Sequence, residues 1–445
     1  MFDAFLNSFK IPELRNKILY TLAFLGIYRL GTFIVIPYVD AQSALAYFGR
    51  TTGAFSGIFG FMNMFTGGAF QRVSIFSLGI MPYISASIIL QLLTAVIPAL
   101  EKLAKEGETG RKKITQYSRY ATVAVSAVQG TGLIIFLENV PSTDFGSIVV
   151  HPGWTFRLIG ILTAITGTTF LMWLGEQITE RGIGNGVSLL IFAGIVADIP
   201  RAIMNTTQVV RAGTIDLITL SVVLVVLCAV VGVVVILQLG RRKIPVSYAK
   251  QVRGRKVYGG QNTHIPLKVD YSGVIAVIFA SAILMLPIQL FQFLGKNDPQ
   301  SLFTKLALLM NFHNGAWLGT IIFVTLIIFF CYFYTAVTFN PKDLAENLQK
   351  YGGFVPGRRP GDATAQYIEY VLTRVTFAGA VFVAVISVLP VYLIRAAHVP
   401  FYFGGTSLLI VVGVALDTMQ QLESHLLMRH YEGFLRKGRL RGRYT

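Results

Sequence analysis

The sequence predicts an all-α polytopic membrane protein with ten transmembrane helices, on the basis of its composition, its apolar runs and its basic residues. Of the 445 residues, 54% are hydrophobic and 13% are charged, and the mean hydropathy is +0.63. Soluble proteins carry about 25% charged residues. The composition therefore excludes a disordered, fibrous or ordinary water-soluble chain.

Ten apolar runs in the chain have the length of a bilayer crossing, which takes about 20 helical residues. The termini and the loops on their side hold 28 of the 38 Lys and Arg residues, against 7 in the opposite loops. Since basic loops stay in the cytoplasm, both termini are predicted to be cytoplasmic. The predicted spans are residues 18–37, 74–97, 117–137, 154–174, 183–200, 215–239, 272–294, 317–338, 371–394 and 401–424.

An even number of spans divides into two halves of five, with opposite directions of entry into the membrane. If the halves share a fold, an axis in the membrane plane relates them as pseudo-symmetric inverted repeats. No clear sequence identity links the halves, so this repeat rests on topology alone. The predicted segments are an interfacial helix at 1–17, spans 1 to 5 within 18–200, span 6 within 201–239, a basic loop at 240–271, spans 7 and 8 within 272–338, a second basic loop at 339–370, spans 9 and 10 within 371–426 and a basic tail at 427–445.

The first 17 residues place Phe2, Phe5, Leu6 and Phe9 on one face of a short helix. They carry no short apolar core followed by a small-residue cleavage site. This pattern favours an interfacial helix that is retained over a signal peptide that is removed.

A glycine-rich segment at residues 55–70 is apolar but too short to cross the membrane. Irregular backbone at membrane depth is tolerated only when protein buries it or when it lines a cavity. The segment is therefore predicted to be re-entrant from the outer side. A surface hairpin on the outer leaflet is the alternative.

The second span carries two neighbouring stripes, an aliphatic one and a polar one that consists of Ser87, Gln91 and Thr94. Isoleucines at 80, 84 and 88 share a helical face. Taken alone, such isoleucines are typical of lipid-facing or core positions, and small polar residues are typical of helix–helix contacts. The same apolar spacing recurs at Val187 and Ile191, after the glycine-rich loop at 175–186.

Two cytoplasmic loops are long for a compact membrane protein, which usually indicates a function. Residues 241–269 combine β-rich stretches with a basic turn at 253–255, and so predict a protruding basic hairpin. Residues 354–368 carry Arg358 and Arg359 between prolines and glycines. Such loops either bind phosphates or acidic side chains, or are solvated segments that only set the orientation.

Catalytic motifs are missing from the chain. It contains no phosphate-binding G-x-x-x-x-G-K-[ST], no H-E-x-x-H and no G-x-S-x-G. Cys228 and Cys331 lie in apolar runs and are predicted to be buried packing residues. Arg29 and Asp417 are too few intramembrane charges to indicate an ion-coupled relay. A secondary transporter of a small solute and a scaffold or insertase without a pore remain as alternatives to a channel.

Seven motifs, read together, resemble the SecY family, the channel subunits of bacterial protein translocases. They occur in order along nearly the whole chain. The motifs are MNMFTGGAF, GIMPYISAS, KEGETGRKKI, GEQITERGIGNG, GRKVYGGQNTHIPLKV, FVPGRRPGD and PFYFGGTSLLIVV.

The resemblance implies two five-helix halves around a central hourglass pore, which a plug helix closes and which opens sideways to lipid. The implied plug comprises Phe55, Gly57, Ile58, Phe59, Gly60, Phe61, Met62, Asn63, Met64 and Phe65. The implied pore ring comprises Ile80, Ile84, Val187, Ile191, Ile278 and Ile410. The implied lateral gate includes Ser87, Gln91 and Thr94.

The resemblance also implies partners and a place in the cell. The basic loops would dock the ribosome or the ATPase SecA through Arg253, Arg255, Lys256, Arg358 and Arg359. Membrane subunits similar to SecE and SecG would complete the complex, and signal sequences would enter the lateral gate. The net charge of +17 also suits anionic lipids. The implied location is the bacterial cytoplasmic membrane, and no cofactor is expected.

An aliphatic ring suits the passage of many different chains. It expels water from a narrow gap, and it offers no strong hydrogen bond that would stall a passing backbone. A side exit adds sorting, because apolar segments gain free energy in lipid and charged segments lose it.

Overall fold

The computed structural model describes residues 11–50, 56–140, 146–213, 216–248, 251–253, 256–258, 262–295, 301–312, 316–397 and 405–437. The chain forms mainly α-helices, as the apolar runs predict. These residues divide into two compact units. The first unit is drawn from Met1–Asn205, Gln292–Thr304 and Ile410–Thr445, and the second from Thr206–Phe291 and Lys305–Leu409.

Among the described residues up to 239, the named elements are all helices. They are α1 (Pro12–Gly31), α2 (Ala41–Arg50), α3 (Ser56–Phe65), α4 (Met81–Val96), α5 (Pro98–Lys105), α6 (Glu108–Glu138), α7 (Trp154–Arg181), α8 (Gly186–Arg211) and α9 (Leu217–Leu239).

Short strands enter after α9. The remaining elements are β1 (Arg241–Tyr248), β2 (Gln251–Arg253), β3 (Lys256–Tyr258), β4 (Asn262–Lys268), α10 (Val274–Gly295), α11 (Leu302–Met310), α12 (Trp317–Thr338), α13 (Pro341–Lys350), β5 (Gly353–Phe354), α14 (Asp362–Ala397) and α15 (Gly405–Lys437).

Eight of the described helices are long and apolar enough to cross a membrane, and a ninth span results if α4 and α5 count as one. The eight are α6, α7, α8, α9, α10, α12, α14 and α15. The prediction of a helical multi-span membrane protein is thus confirmed. Helix α1, which overlaps the first predicted span, is not among the eight, and its last turn carries Arg29.

The second predicted span, 74–97, was wrong in its first part. Helix α4 begins only at Met81, and residues 66–80 form a series of turns. Gly67, Gly68 and Gly79 adopt positive φ angles there, which hydropathy does not register. The apolar run also ends in a bend of 99° between α4 and α5. At the bend Ile97 is extended (φ −93°, ψ 114°), the conformation favoured before Pro98.

In the first unit, α6 packs against α4 and α7 through close contacts of small residues. Gly130 faces Ala164, and Gly160 faces Ile134. The position of a Cβ on Gly167 is occupied by the carbonyl oxygen of Ile75, which brings the turns before α4 directly onto α7. Small residues allow this approach of backbones in a membrane helix bundle.

In the second unit, the strands form the basic hairpin that the sequence predicts. Strand β1 pairs antiparallel with β4, from Arg241 opposite Lys268 to Ser247 opposite Asn262. Strands β2 and β3 form a separate antiparallel pair, and β5 joins the other edge of β1. The side chains beneath this sheet form an apolar core of Ile244, Val246, Leu267, Leu348, Val355 and Ile368.

The two cysteines differ in their surroundings. Cys331 is buried, as predicted, but the prediction for Cys228 was wrong, because its side chain is exposed. Cys228 lies on α9, whose main helix contact within the second unit is with α14. Hydropathy does not separate the buried face of such a helix from its exposed face. The predicted interfacial helix at 1–17 falls mostly outside the described residues.

Candidate pore and gating elements

Helix α3 forms the segment that was predicted as the plug. It spans Ser56–Phe65, and Phe55 lies outside the described residues. Three contacts close its C-terminal end. The hydroxyl of Thr66 donates to the carbonyl oxygen of Met62 at 3.0 Å. The backbone N–H of Gly68 donates to the carbonyl oxygen of Asn63 at 2.9 Å. The backbone N–H of Gln71 donates to Oδ1 of Asn63 at 3.0 Å. The helix therefore has a defined end.

Aromatic side chains of the first unit seat this helix. The ring of Phe59 lies 5.4 Å from that of Phe48 and 5.7 Å from those of Phe70 and Phe136. Aromatic pairs at such distances contribute about 0.5–1.5 kcal/mol each beyond their burial. Sequence analysis missed Phe48 and Phe136, because both are distant from the plug in the chain. The only indication of an aromatic cluster in the sequence is the high phenylalanine content of the chain.

Helix α2 brings Phe48 to this cluster. Its start is fixed by Asp40, whose carboxylate accepts a hydrogen bond from the backbone N–H of Ser43 at 2.8 Å. Such a cap satisfies a donor that the first turn of a helix leaves unpaired. The aromatic seat of α3 is thus held by a separate, capped helix.

The hinge after the plug helix, residues 66–68, lies directly on α8. Gly67 has a φ of 63° and Gly68 a φ of 85°, a conformation that side chains disfavour. A Cβ on Gly67 would lie 3.0 Å from the Cα of Gly194 and 3.0 Å from the hydroxyl of Tyr28. Both glycines of the hinge are therefore required by backbone geometry or by close approach.

The six predicted ring positions all lie at the beginning of a helix. Ile80 is the N-cap of α4, and its carbonyl oxygen accepts the backbone N–H of Ile84 at 3.1 Å. All except Val187 are buried, and the Cγ2 of Val187 lies 3.3 Å from the Cβ position of Gly175 on α7. Their convergence around one opening stays a prediction. The first unit holds Ile80, Ile84, Val187, Ile191 and Ile410, and the second unit holds Ile278.

The predicted gate residues lie on the more exposed side of α4. Gln91 is exposed, and Ser87 and Thr94 are partly exposed, whereas Ser85 and Ile88 are buried. The hydroxyl of Thr94 donates to the carbonyl oxygen of Leu90 at 2.7 Å, which satisfies its donor within the helix. Packing inside the first unit therefore leaves these three polar side chains partly or fully exposed.

The second basic loop presents two arginines that differ in their contacts. Arg358 is exposed, with its guanidinium carbon 5.1 Å from the centre of the Tyr367 ring. The side chain of Arg359 is also exposed, while its carbonyl oxygen accepts the hydroxyl of Thr364 at 2.8 Å. The loop backbone is thus fixed while the charges face outward. In the first basic loop, Arg253 ends β2 and Lys256 begins β3, and Arg255 lies outside the described residues.

Comparison with curated proteins gives relatives of nearly the same length. The protein translocase subunit SecY of Escherichia coli (strain K12) is 46% identical over 432 residues, which cover 97% of this chain and 96% of that protein. The subunit of Vibrio cholerae is 47% identical over 435 residues, again covering 97% of this chain and 96% of the relative.

Solved structures share the fold at low identity. A SecY structure, whose plug domain is described as stabilising the closed state of the translocation channel, matches with a TM-score of 0.64 at 18% identity. It covers 94% of this chain and 96% of that one. Sec61 in the canine ribosome-channel complex from the endoplasmic reticulum matches with a TM-score of 0.57 at 16% identity, over 94% and 96% of the two chains.

The sequence model of one family, described as SecY, matches residues 74–419. That range contains α4 and most of the helices that follow it, as well as both basic loops. Together with the relatives at 46% and 47% identity, this match shows that the chain belongs to the SecY family.

Proposed function

We propose that this channel subunit of the SecY family passes unfolded polypeptides across the bacterial cytoplasmic membrane and releases apolar segments sideways into lipid. The proposal rests on helix α3, a short apolar helix that packs on aromatic side chains and is followed in the chain by the glycine hinge. A helix of ten residues is too short to cross the bilayer, which takes about 20. Its construction suits a plug that is seated at rest and displaced when a chain enters.

The ring of aliphatic side chains provides the second barrier in this proposal. Ile84, Ile191 and Ile410 are buried and carry no polar group that could bind a passing backbone. A narrow apolar constriction excludes water and ions by dewetting. The ring closes the channel at rest without selecting among substrates.

The exposed polar stripe on α4 supports a lateral exit. Gln91 is exposed on a helix that otherwise packs closely against α6. Beside it, an apolar segment of the passing chain would gain free energy on moving into lipid. We assign Ser87, Gln91 and Thr94 to this exit, where signal sequences would bind.

The basic loops are the proposed docking surface for a cytoplasmic motor or the ribosome. Arg358 and Arg359 are exposed on a loop whose backbone is held by Thr364. Arg253 and Lys256 pair with each other at the turn end of strands β2 and β3. Phosphate groups of RNA and acidic side chains both suit such surfaces. We therefore propose SecA and the ribosome as partners, with SecE-like and SecG-like subunits and anionic lipids in the membrane.

Crosslinking of a stalled secretory chain tests the proposed path. The parent for this experiment carries Cys228→Ser and Cys331→Ser, so that each added thiol is unique. Single cysteines are then placed at positions 80, 84, 191, 278 and 410, and Leu224→Cys on the exposed face of α9 serves as the control. Crosslinks at all five positions and none at the control are expected. Equal crosslinking at position 224, or none at the five, would contradict the proposal.

A further inference from the structure

Three arginines and one aspartate of the first unit surround the hinge that follows the plug helix. Arg29 lies in the last turn of α1, Arg72 follows the hinge, and Asp198 and Arg201 lie on α8. Oδ1 of Asp198 and Nη1 of Arg72 both lie within 4 Å of the Cβ position of Gly68, so the two charged groups meet at the hinge. We call these four residues the hinge cluster. The pore ring and the basic loops do not account for any of them.

Arg29 holds the hinge directly. Its Nη1 donates a hydrogen bond to the carbonyl oxygen of Gly67 at 2.6 Å. That carbonyl is oriented by the left-handed backbone of Gly67, which in turn lies against Gly194 of α8. A hydrogen bond from a charged donor is about twice as strong as a neutral one. One arginine therefore ties the hinge to α1 at the point where it touches α8.

Arg201 reaches the plug through Gln71. Its Nη1 donates to Oε1 of Gln71 at 3.3 Å, and the backbone N–H of Gln71 donates to Oδ1 of Asn63 in the plug helix. This chain of contacts links α8 to the last turn of α3.

Arg72 completes the set of cations. Its guanidinium carbon lies 4.3 Å from the centre of the Phe33 ring, and its Nη1 is buried without a hydrogen-bond partner among the described residues. Arg29 approaches the same ring at 5.1 Å. Arg29 and Arg72 are partly buried and Arg201 is exposed. Cations that lie close together repel one another unless an anion offsets their charge.

Asp198 is the anion that offsets this repulsion. A Cβ on Gly68 would lie 3.8 Å from Oδ1 of Asp198, so the carboxylate lies against the hinge itself. Three guanidinium groups and one carboxylate leave a net charge of two positive units in the hinge cluster. Without the carboxylate, three uncompensated cations would surround the turn that carries the plug.

We propose that Asp198 is a positioning residue that keeps the plug in its resting place, by offsetting the mutual repulsion of Arg29, Arg72 and Arg201 around the hinge. The inference rests on the proposed function of α3 as a plug. The plug is then held by the charge balance of the hinge cluster as well as by aromatic packing. We call this charge balance the latch.

Charge-compensating variants of the whole chain test the latch in planar bilayers. Asp198→Asn raises the net charge of the hinge cluster by one, and Asp198→Asn combined with Arg201→Gln restores it. The single variant should raise the resting ion conductance by about threefold to tenfold, the range that one lost charge interaction gives. The double variant should return toward the parent. Asp216→Asn, an exposed carboxylate before α9, is the matched control and should leave the conductance unchanged.

A second measurement follows the plug without relying on conductance. Spin labels at Ser56→Cys in α3 and Ala41→Cys in α2, in a background without the native cysteines, report the distance between the two helices. The parent and the control variant should give one narrow distance distribution. Asp198→Asn should broaden it toward longer distances.

A channel lacking residues 56–65 separates failure of the latch from failure of the proposed function. If this deletion conducts no more ions than the parent, α3 is not a plug and the proposed function is wrong. If the deletion leaks while Asp198→Asn matches the parent in both measurements, the latch is wrong. A double variant that leaks more than Asp198→Asn would also overturn the latch, because lost contacts and not charge would then control the plug.

Discussion

The plug region and the basic sheet region of this protein are stabilised in different ways. Around α3, side chains are packed at short distance, as Phe59 is among Phe48, Phe70 and Phe136. Around β1 and β5, packing is confined to a small core, and the charged side chains face outward. The difference indicates that the aromatic seat of the plug acts through shape and the sheet region through charge, while charge enters the plug region only at the hinge cluster. Changes of volume should therefore affect the aromatic seat, and changes of charge the sheet region.

The largest expected effect is that of Arg359→Glu. Reversing an exposed charge at a docking surface should lower SecA-driven export by at least about tenfold, because like charges then face each other across the contact. Assembly in the membrane should be unchanged, since the loop backbone is held through the carbonyl oxygen of Arg359. Export into inverted vesicles and blotting of the purified complex measure the two properties.

Lys305→Glu is the control, an exposed charge reversal on α11 of the same unit, outside both basic loops. It should leave export close to the parent. Normal export by the Arg359 variant, or equal loss in both variants, would break the distinction between the two regions.

The second effect is that of Ile84→Ser, which places a hydroxyl in a buried position of the predicted ring. Burying an uncompensated hydroxyl costs about 1–3 kcal/mol in proteins, so water should enter more readily and the resting conductance should rise about fivefold or more. Conductance in planar bilayers measures this.

Ile84→Val keeps the apolar surface and should stay near the parent. Binding of SecA by the serine variant should be unchanged, in contrast to Arg359→Glu. A serine variant that does not leak would argue against a ring at this position.

The third effect is smaller and concerns the aromatic seat. Phe59→Ala removes three ring contacts of the plug helix, each worth about 0.5–1.5 kcal/mol. The displaced plug becomes more populated, but the aliphatic ring still restricts the opening, so the resting conductance should rise by only about threefold. Phe59→Leu, which keeps most of the apolar volume, should give an intermediate value. If Phe59→Ala and Phe59→Leu give the same resting conductance, the shape of this side chain does not hold the plug.

The smallest effect follows from salt. Raising the ionic strength from about 0.05 M to about 0.3 M shortens the screening length and should weaken SecA binding through the exposed arginines about twofold to fivefold. The aromatic seat involves no charge, so the resting leak of Phe59→Ala, expressed relative to the parent, should not change. Salt-insensitive binding would remove the basis for assigning the loops to electrostatic docking.

The sequence predicted the helices well where periodicity and hydropathy both applied. Helix α12 coincides with the predicted span 317–338, and α6 and α7 contain the predicted spans 117–137 and 154–174 and extend beyond them, because a long apolar run has few alternatives in lipid. The hairpin of β1 and β4 followed from β-rich stretches around a basic turn. These features depend on residues that are close together in the chain.

Features that depend on distant residues were not predicted. Phe48 and Phe136 meet Phe59 only because the fold brings three helices together. The exposed position of Cys228 was missed because hydropathy does not report which face of a helix is covered. Arg29 was identified as an intramembrane charge, but its bond to Gly67 requires the turn that glycines at positive φ create.

The bend of 99° between α4 and α5 has a practical consequence for topology mapping. Helix α5 carries an ion pair between Glu101 and Lys105 at 2.7 Å, which keeps the pKa of Glu101 below its ordinary value. Beyond it, Gly107 has a positive φ and open space around its Cβ position. Gly107 is exposed, so a protease recognition site inserted there should be accessible to the protease. Cleavage of that site in inverted vesicles, but not in intact cells, would give an enzymatic readout of sidedness.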